Sequence, residues 1–129
     1  MIVSYLPDPE SHPLWTGIRE LLKPAADYGE IPVFGENECV WVAFDGPTVF
    51  AAGTTLLWLD GEAEIRLCGG SRHREWVGQA LEIVEAWARD AGASRLTMRG
   101  RRGWGRYMRP FGWVSLGTED GKQLFEKVL

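Results

Sequence analysis

Apolar residues recur along the chain with two periods, one typical of helices and one typical of strands. Helical spacing runs through residues 11–29, and Ser11 is a suitable cap for a helix that begins there. A second amphipathic helix is predicted over residues 74–92, with Ser71 as its cap and Gly92 as its C-terminal stop. The apolar face of this second helix consists of Trp76, Ala80, Ile83, Val84 and Trp87. The spacing therefore predicts two helices that each bury one side.

Stretches rich in β-branched and aromatic residues predict the strands. They cover residues 39–46, 48–59, 62–68, 94–100, 113–117 and 123–129. Turn residues at Asp45-Gly46 and Asp60-Gly61 join the first three strands into an antiparallel meander, in which Gly53 is a predicted bulge. A short helix closed by Pro110 and Gly112 precedes a final hairpin, which is predicted to turn at Glu119-Asp120-Gly121. The order of elements predicts one α+β domain over residues 1–129.

Length and composition narrow the class of protein. A chain of 129 residues is long enough to bury one core, and no apolar run approaches the roughly 20 residues that cross a bilayer. The N-terminus has no basic region, which argues against a signal peptide. Two cysteines, Cys39 and Cys68, follow no zinc or disulfide spacing. We therefore expect a cytoplasmic protein with no metal site.

Charge is distributed unevenly. Residues 1–64 contain 11 acidic and 2 basic residues, a net charge of −9, whereas residues 65–129 contain 12 basic and 7 acidic residues, a net charge of +5. Residues 91–118 contain no acid, and the arginines there are Arg95, Arg99, Arg101, Arg102, Arg106 and Arg109. This segment could attract a ligand that carries phosphates. The alternative is that the two halves simply pair with each other.

The junction between the third strand and the long helix has the features of an anion site. Gly69 and Gly70 allow unusual backbone angles, and Arg72, His73 and Arg74 add positive charge. A helix N-terminus presents free N–H groups and the positive end of its dipole, which suit a pyrophosphate. For His73, an exposed loop residue without a ligand is the plainer interpretation.

The order of elements and residues 62–117 resemble the GNAT superfamily of acyl-CoA-dependent N-acetyltransferases. In that family a Gln/Arg-x-x-Gly-x-Gly/Ala loop binds the pyrophosphate of the cofactor, and its positions fall here on His73, Trp76 and Gly78. Only Gly78 matches the pattern, and Gln79 follows it. The resemblance implies that acetyl-CoA is the cofactor, bound by this loop.

The stretch GRRGWGRYMRPFGW, residues 100–113, carries the second part of the resemblance. GNAT chains place a Leu-Gly-Phe-like turn after a short helix, and Pro110-Phe111-Gly112-Trp113 matches that turn. The family's general-acid tyrosine falls on Met108, one residue after Tyr107. The resemblance thus makes Tyr107 a candidate acid toward the departing thiolate, and similar Gly-Arg-Arg-Gly-Trp segments occur in short GNAT-like chains of bacteriophages and prophages.

The resemblance implies direct transfer of an acetyl group from acetyl-CoA to an amine. Backbone near Leu67 and Cys68 would hold the thioester carbonyl, and Glu62 or Glu64 would deprotonate a small-molecule or peptide amine. Alternation along the strand places Glu62, Glu64 and Cys68 on one face.

Each of these candidates has a plainer interpretation. Tyr107 could pack at the core edge, the two glutamates could form a solvated strand face, and Cys68 is expected to be a buried structural cysteine. Trp104, between two glycines, is expected to be an exposed stacking or docking residue.

Two other functions stay open. The arginines and aromatic residues of the 95–109 segment could bind nucleic acid, although the net charge of −4 argues against it. The fold could also serve as a catalytically inactive interaction protein, with a protein partner in a phage particle.

Overall fold

The computed structural model describes residues 1–25 and 37–129, which form seven strands and three α-helices. The strands are β1 (Ile2–Leu6), β2 (Glu38–Asp45), β3 (Thr48–Leu57), β4 (Glu62–Gly70), β5 (Arg95–Gly100), β6 (Val114–Glu119) and β7 (Lys122–Val128). The helices are α1 (Trp15–Leu22), α2 (His73–Asp90) and α3 (Gly105–Met108). None of the helices in these residues is long and apolar enough to cross a membrane.

All seven strands form one sheet in the order β1-β2-β3-β4-β5-β7-β6. Every neighbouring pair is antiparallel except β4 and β5, which are parallel and are connected through α2. The predicted α+β class with a mixed, mostly antiparallel sheet is therefore confirmed. The sequence prediction lacked β1, which pairs with β2 along the whole of its length.

The sheet separates two apolar cores. The larger core lies under α2 and contains Trp41, Trp76, Val84, Leu96 and Phe125 among its buried side chains. The smaller core lies under α1 and contains Ile18, Leu22, Val40, Val42, Ala52 and Leu67. Both helices thus bury one face against the sheet, as their apolar spacing predicts.

A bulge in β4 changes which side chains face each core. The register between β3 and β4 shifts around Arg66, which is an extra residue without a partner in β3. Ile65 packs in the core under α2 and Leu67 in the core under α1, while Cys68 returns to the α2 side. The prediction that Cys68 shares a face with the acidic residues of β4 is therefore wrong, because the bulge interrupts the alternation.

Gly53 is not a bulge. It pairs in register with Trp41 on β2 and with Cys68 on β4. A Cβ atom at Gly53 would lie 2.1 Å from Cζ2 of Trp41, so the indole covers the glycine directly. The residue is therefore required for close packing of the large tryptophan on the sheet.

Both predicted helix caps differ from the observed ones. The first α-helix begins at Trp15, and Ser11 instead belongs to a short 3-10 turn, where its hydroxyl donates to the carbonyl of Asp8 at 3.1 Å. Residues 26–29 of the predicted helix lie outside the described residues. The long helix begins at His73 after Arg72, which adopts a left-handed φ of 58°. Arg72 is thus the N-cap residue of α2, and no side chain caps this helix.

The C-terminal elements match the prediction more closely. Three short helical turns cover Arg102–Phe111, and Gly112 ends them with a φ of 89°. The final hairpin turns at Asp120 and Gly121, whose φ values of 51° and 78° are typical of a two-residue turn. Turn residues in this region therefore predicted the chain path correctly.

Candidate functional site

A gap opens where the two parallel strands of the sheet, β4 and β5, stop pairing. Residues Glu62–Ile65 of β4 pair with Arg95–Met98 of β5, and the pairing stops there. The bulge at Arg66 lies immediately beyond the last pair. The later part of β4 leads to the N-terminus of α2, whereas β5 leads to α3. Beyond the last pair, the two strands therefore diverge toward two helix-bearing loops.

Four aromatic rings bridge the mouth of this gap. The ring centroid of His73, the first residue of α2, lies 4.8 Å from that of Trp104, 5.3 Å from that of Trp76 and 5.7 Å from that of Tyr107. Trp104 also covers Gly100 at the end of β5, where a Cβ atom would lie 2.9 Å from the indole Cδ1. The expectation that Trp104 is an exposed stacking residue is wrong, because it is half-buried in this cluster.

Behind the rings lies a small apolar cavity of about 20 Å³. This volume accommodates roughly one water molecule or methyl group. Its lining includes Trp41, Ile65, Cys68, Trp76, Met98 and Trp104, so residues of both β4 and β5 border it. The space between the diverging strands is therefore nearly filled by side chains.

The N-terminus of α2 retains donors that an anion could use. By helix geometry, the N–H groups of His73 and Arg74 have no carbonyl partner within the helix. The side chains of Arg72 and Arg74 are exposed beside them. Arg72 is engaged in part, since its guanidinium lies 4.3 Å from the ring centroid of Phe50 and 3.7 Å from the Glu75 carboxylate. Positive charge thus surrounds the free N–H groups.

The remaining residues of the predicted loop lie inside α2. Trp76 is 1% exposed and points into the core, and its indole donates to the carbonyl of Ser71 at 2.8 Å. Gly78 faces Phe111, whose Cζ would lie 2.9 Å from an added Cβ atom. The Gln79 side chain accepts a hydrogen bond from the N–H of Val3 in β1 at 2.6 Å. These contacts hold α2 against its neighbours.

His73 differs from the exposed loop residue of the plainer interpretation. It is half-buried among the three other rings, and burial lowers the pKa of its imidazole below the ordinary value. The side chain is therefore neutral at pH 7. Any attraction for phosphate at this helix end comes from the N–H groups and from the neighbouring arginines.

The backbone N–H of Leu67 and the thiol of Cys68 belong to the part of β4 beside the gap. The N–H of Leu67 donates to the Thr54 hydroxyl on β3 at 3.2 Å, so it points away from β5. Burial raises the pKa of the Cys68 thiol to about 12, which keeps it protonated at neutral pH. Cys68 is therefore a structural thiol in this environment and not an activated nucleophile.

The two candidate carboxylates lie on the opposite face of the sheet and have different partners. Glu62 accepts from the Thr97 hydroxyl at 2.6 Å and from the Arg95 guanidinium at 3.0 Å. Glu64 accepts from the indole N–H of Trp58 at 3.1 Å. Burial raises the pKa of the Glu64 carboxyl, and the Trp58 hydrogen bond opposes the rise. Glu64 is thus the better proton acceptor of the two, because Glu62 is already neutralised by Arg95.

Sequence reasoning missed two contributors to this face. Arg66, the bulge residue, forms a two-pronged ion pair with Glu38 of β2 at 2.5 and 2.7 Å. Trp58 contacts Glu64 across the β3–β4 hairpin. The Asp60-Gly61 turn was predicted from the sequence. Counting cross-strand residue pairs outward from this turn would have placed Trp58 near the start of β4. No comparable local signal connects Glu38 with Arg66.

Positive charge gathers around α3. Arg101, Arg102, Arg106 and Arg109 have no carboxylate within ion-pair distance among residues 1–25 and 37–129. The same described residues contain no group of three or more His, Cys, Asp or Glu side chains that could hold a metal ion.

By sequence, no family model and no curated protein matches the chain. Solved structures do match its fold. An aminoglycoside 6'-N-acetyltransferase from Enterococcus faecium superposes with a TM-score of 0.74 at 14% identity, over 99% of this chain and 97% of the other. An IAA acetyltransferase from Bacillus cereus gives 0.70 at 16% identity, over 99% of both chains.

A third match holds a ligand. A GNAT family acetyltransferase from Elizabethkingia anophelis, with acetyl-CoA bound, superposes with a TM-score of 0.71 at 12% identity, over 98% of both chains. Each of these superpositions covers at least 98% of this chain. The chain therefore has the fold of the GNAT acetyltransferases.

Proposed function

We propose that this protein transfers an acetyl group from acetyl-CoA directly to an amine. The observation that carries the proposal is the gap between β4 and β5. A helix N-terminus and a tyrosine lie on one side of it, and on the other lies Glu64, a half-buried carboxylate with no Lys or Arg partner among the described residues. The fold neighbours that are acetyltransferases support the reaction class. The small apolar cavity favours a short acyl group over a long one.

The residues around the gap fit acetyl-CoA at its phosphate end. The free N–H groups of His73 and Arg74 and the exposed guanidinium groups of Arg72 and Arg74 would hold the pyrophosphate. Acetyl-CoA supplies the thioester whose acyl carbon is transferred. Trp104 bridges the mouth through which the thioester would reach the strands, so its indole has to rotate when the cofactor binds.

Three groups of this chain act in the transfer: the Glu64 carboxylate, the backbone N–H of Cys68 and the phenol of Tyr107. Glu64 accepts a proton from the ammonium form of the acceptor, which leaves a nucleophilic amine. Successive N–H groups of a strand point to opposite edges, so we expect the N–H of Cys68 to face the gap, since that of Leu67 faces β3. That N–H would polarise the carbonyl while the new C–N bond forms and the C–S bond breaks. The phenol of Tyr107 donates a proton to the departing sulfur.

The proposal is tested by the rate of free thiol release from acetyl-CoA in the presence of primary amines. Tyr107→Phe and Glu64→Gln should each lower kcat by about 100-fold or more, since general acid and base groups contribute on that order. Tyr5→Phe and Glu82→Gln are matched controls away from the gap and should retain the wild-type rate. Absence of amine-dependent thiol release by the folded protein would refute the proposal and favour a catalytically inactive interaction protein, in a phage particle or elsewhere.

A second candidate function is nucleic-acid binding, which the unpaired arginines around α3 favour. Binding through phosphate contacts weakens steeply with salt. The double variant Arg101→Ala/Arg102→Ala should then lose retention of single- or double-stranded DNA at low salt. If the wild-type protein does not retain DNA at low salt, this candidate is excluded.

A further inference from the structure

Trp58 occupies an unusual position at the end of β3. Its side chain is 48% exposed, and the next residue, Leu59, is fully exposed, although both are large and apolar. The Trp58 backbone N–H donates to the carbonyl of Glu62 at 2.8 Å, which fixes the residue at the closing pair of the β3–β4 hairpin. An exposed tryptophan held on a rigid hairpin is a common device for binding a partner molecule.

The indole of Trp58 is directed at Glu64. Its Nε1–H donates to the carboxylate at 3.1 Å across six residues of chain. Glu64 has no Lys or Arg within ion-pair distance among the described residues, whereas Glu62 on the same face is bound by Arg95. The carboxylate of Glu64 thus has one neutral donor that orients it and keeps capacity for another.

The charge around Glu64 favours a cationic ligand. The ion pairs on this face join Glu38 with Arg66, Arg95 with both Glu62 and Glu126, and Arg99 with Glu119. With Glu64 added, the strands on this face carry five carboxylates, three guanidinium groups and the ammonium of Lys122, which is the register partner of Glu119. An ammonium group would therefore balance the excess of negative charge beside an exposed aromatic ring.

We propose that Trp58 is a positioning and specificity residue of the acceptor site: its indole N–H holds the Glu64 carboxylate, and its exposed ring forms one wall of a site for a primary alkylammonium group. The inference rests on the proposed acetyl transfer and names the class of acceptor. The alkylammonium belongs either to a free amine or to a lysine side chain. The exposed Leu59 adds apolar surface for the alkyl part.

The charged groups that face Glu64 determine how a loss of Trp58 acts. On β4, Glu62 raises the pKa of Glu64 and Arg66 lowers it, and Arg99 on β5 also lowers it. The helix α1 packs over β4 and contributes apolar contacts through Ile18 and Leu22. Its charged residues, Arg19 and Glu20, are exposed, and so is Lys23 in the following turn. Removing the Trp58 indole N–H should therefore raise the pKa of Glu64 further, because burial, the largest cause of the raised pKa, is then less opposed.

The decisive experiment compares Trp58→Phe, which keeps a ring but removes the N–H, with Trp58→Leu, which removes both. In Trp58→Phe the acidic limb of kcat/KM against pH should move to higher pH, with the amine KM nearly unchanged. In Trp58→Leu the limb should move equally and the KM should rise by about two- to five-fold, the size of an exposed cation–π contact. Trp87→Phe, on α2, is the control and should change neither quantity.

Two further measurements separate this proposal from the acetyl transfer itself. Carbon-13 NMR follows the titration of Glu64 without turnover, and its midpoint should rise in both Trp58 variants. If wild-type protein shows no turnover but the midpoint rises, the proposed function fails and the positioning role stands. If the protein turns over but neither the acidic limb of the pH profile nor the NMR midpoint moves in the Trp58 variants, the positioning role is overturned.

The specificity role has its own test, which compares alkyl monoamines with a lysine peptide and so identifies the source of the ammonium group. Equal KM values in Trp58→Leu and wild type for both kinds of acceptor would overturn this role.

Discussion

Burial moves the pKa values of Glu64 and His73 in opposite directions. Desolvation penalises the charged form of each, so the pKa of the carboxyl rises and that of the imidazole falls. At neutral pH the imidazole of His73 in the aromatic cluster is therefore uncharged. The two groups lie on opposite faces of the sheet, and each is adjusted by its own surroundings.

The neutral His73 predicts a dependence of stability on pH. Its pKa is lower in the folded than in the unfolded chain, so the unfolded chain binds more protons as the pH falls below about 6.5. The free energy of unfolding should then decrease between pH 7 and pH 5 in wild type, and decrease less in His73→Gln. Denaturant unfolding at both pH values measures this difference.

The chain has one other histidine, which supplies the control. His12 accepts a hydrogen bond from the N–H of Leu14 in an exposed turn. His12→Gln is the matched control, because it removes an imidazole that lies outside the aromatic cluster. An equal loss of stability in wild type and His73→Gln would contradict a lowered pKa of His73.

At the scale of elements, two glycines predict opposite effects of the same substitution. Gly53→Ala would place a methyl group 2.1 Å from the Trp41 ring and should destabilise the fold by about 1–3 kcal/mol. Gly17→Ala, in α1, meets no atom within 4 Å and should stabilise it by up to about 1 kcal/mol, since alanine favours helices. Thermal unfolding of both variants measures the contrast, and a neutral Gly53→Ala would show that Trp41 packs elsewhere.

Sequence predicts elements well where the signal is local. The Asp60-Gly61 and Asp120-Gly121 turns and the helical spacing of α2 need only neighbouring residues, and the structure contains all of them. On the predicted face of α2, Trp76, Ala80 and Val84 are buried, whereas Ile83 and Trp87 are partly buried. The strand β1 was missed because five residues before Pro7 give too short a pattern. The bulge at Arg66 was missed because polar and apolar residues alternate without interruption from Glu62 to Cys68.

The same distinction applies to the candidate site. Tyr107 and His73 were both singled out from sequence, and the structure brings their rings together. The contact of Trp58 with Glu64 and the pairing of Glu38 with Arg66 depend on register across the sheet, which no single stretch of sequence reveals. The sequence thus identifies candidate residues, whereas the contacts that these residues make are known only from the folded structure.

At the scale of the whole molecule, folding redistributes the charge of the two halves. Glu38 and Glu62 of the acidic half bind Arg66 and Arg95 of the basic half, as the plainer interpretation of the charge pattern predicts. The arginines around α3 stay unpaired among the described residues and lie on the loop that follows β5. Positive charge thus remains exposed on this loop.

The most direct test of the account is a thermal unfolding titration with acetyl-CoA. A ligand at about 100 times its Kd stabilises the folded state by about 2.7 kcal/mol. For a domain of this size, we therefore expect Tm to rise by several degrees in a saturable, concentration-dependent manner. No change in Tm at millimolar acetyl-CoA would contradict the claim that the gap between β4 and β5 is an acetyl-CoA site.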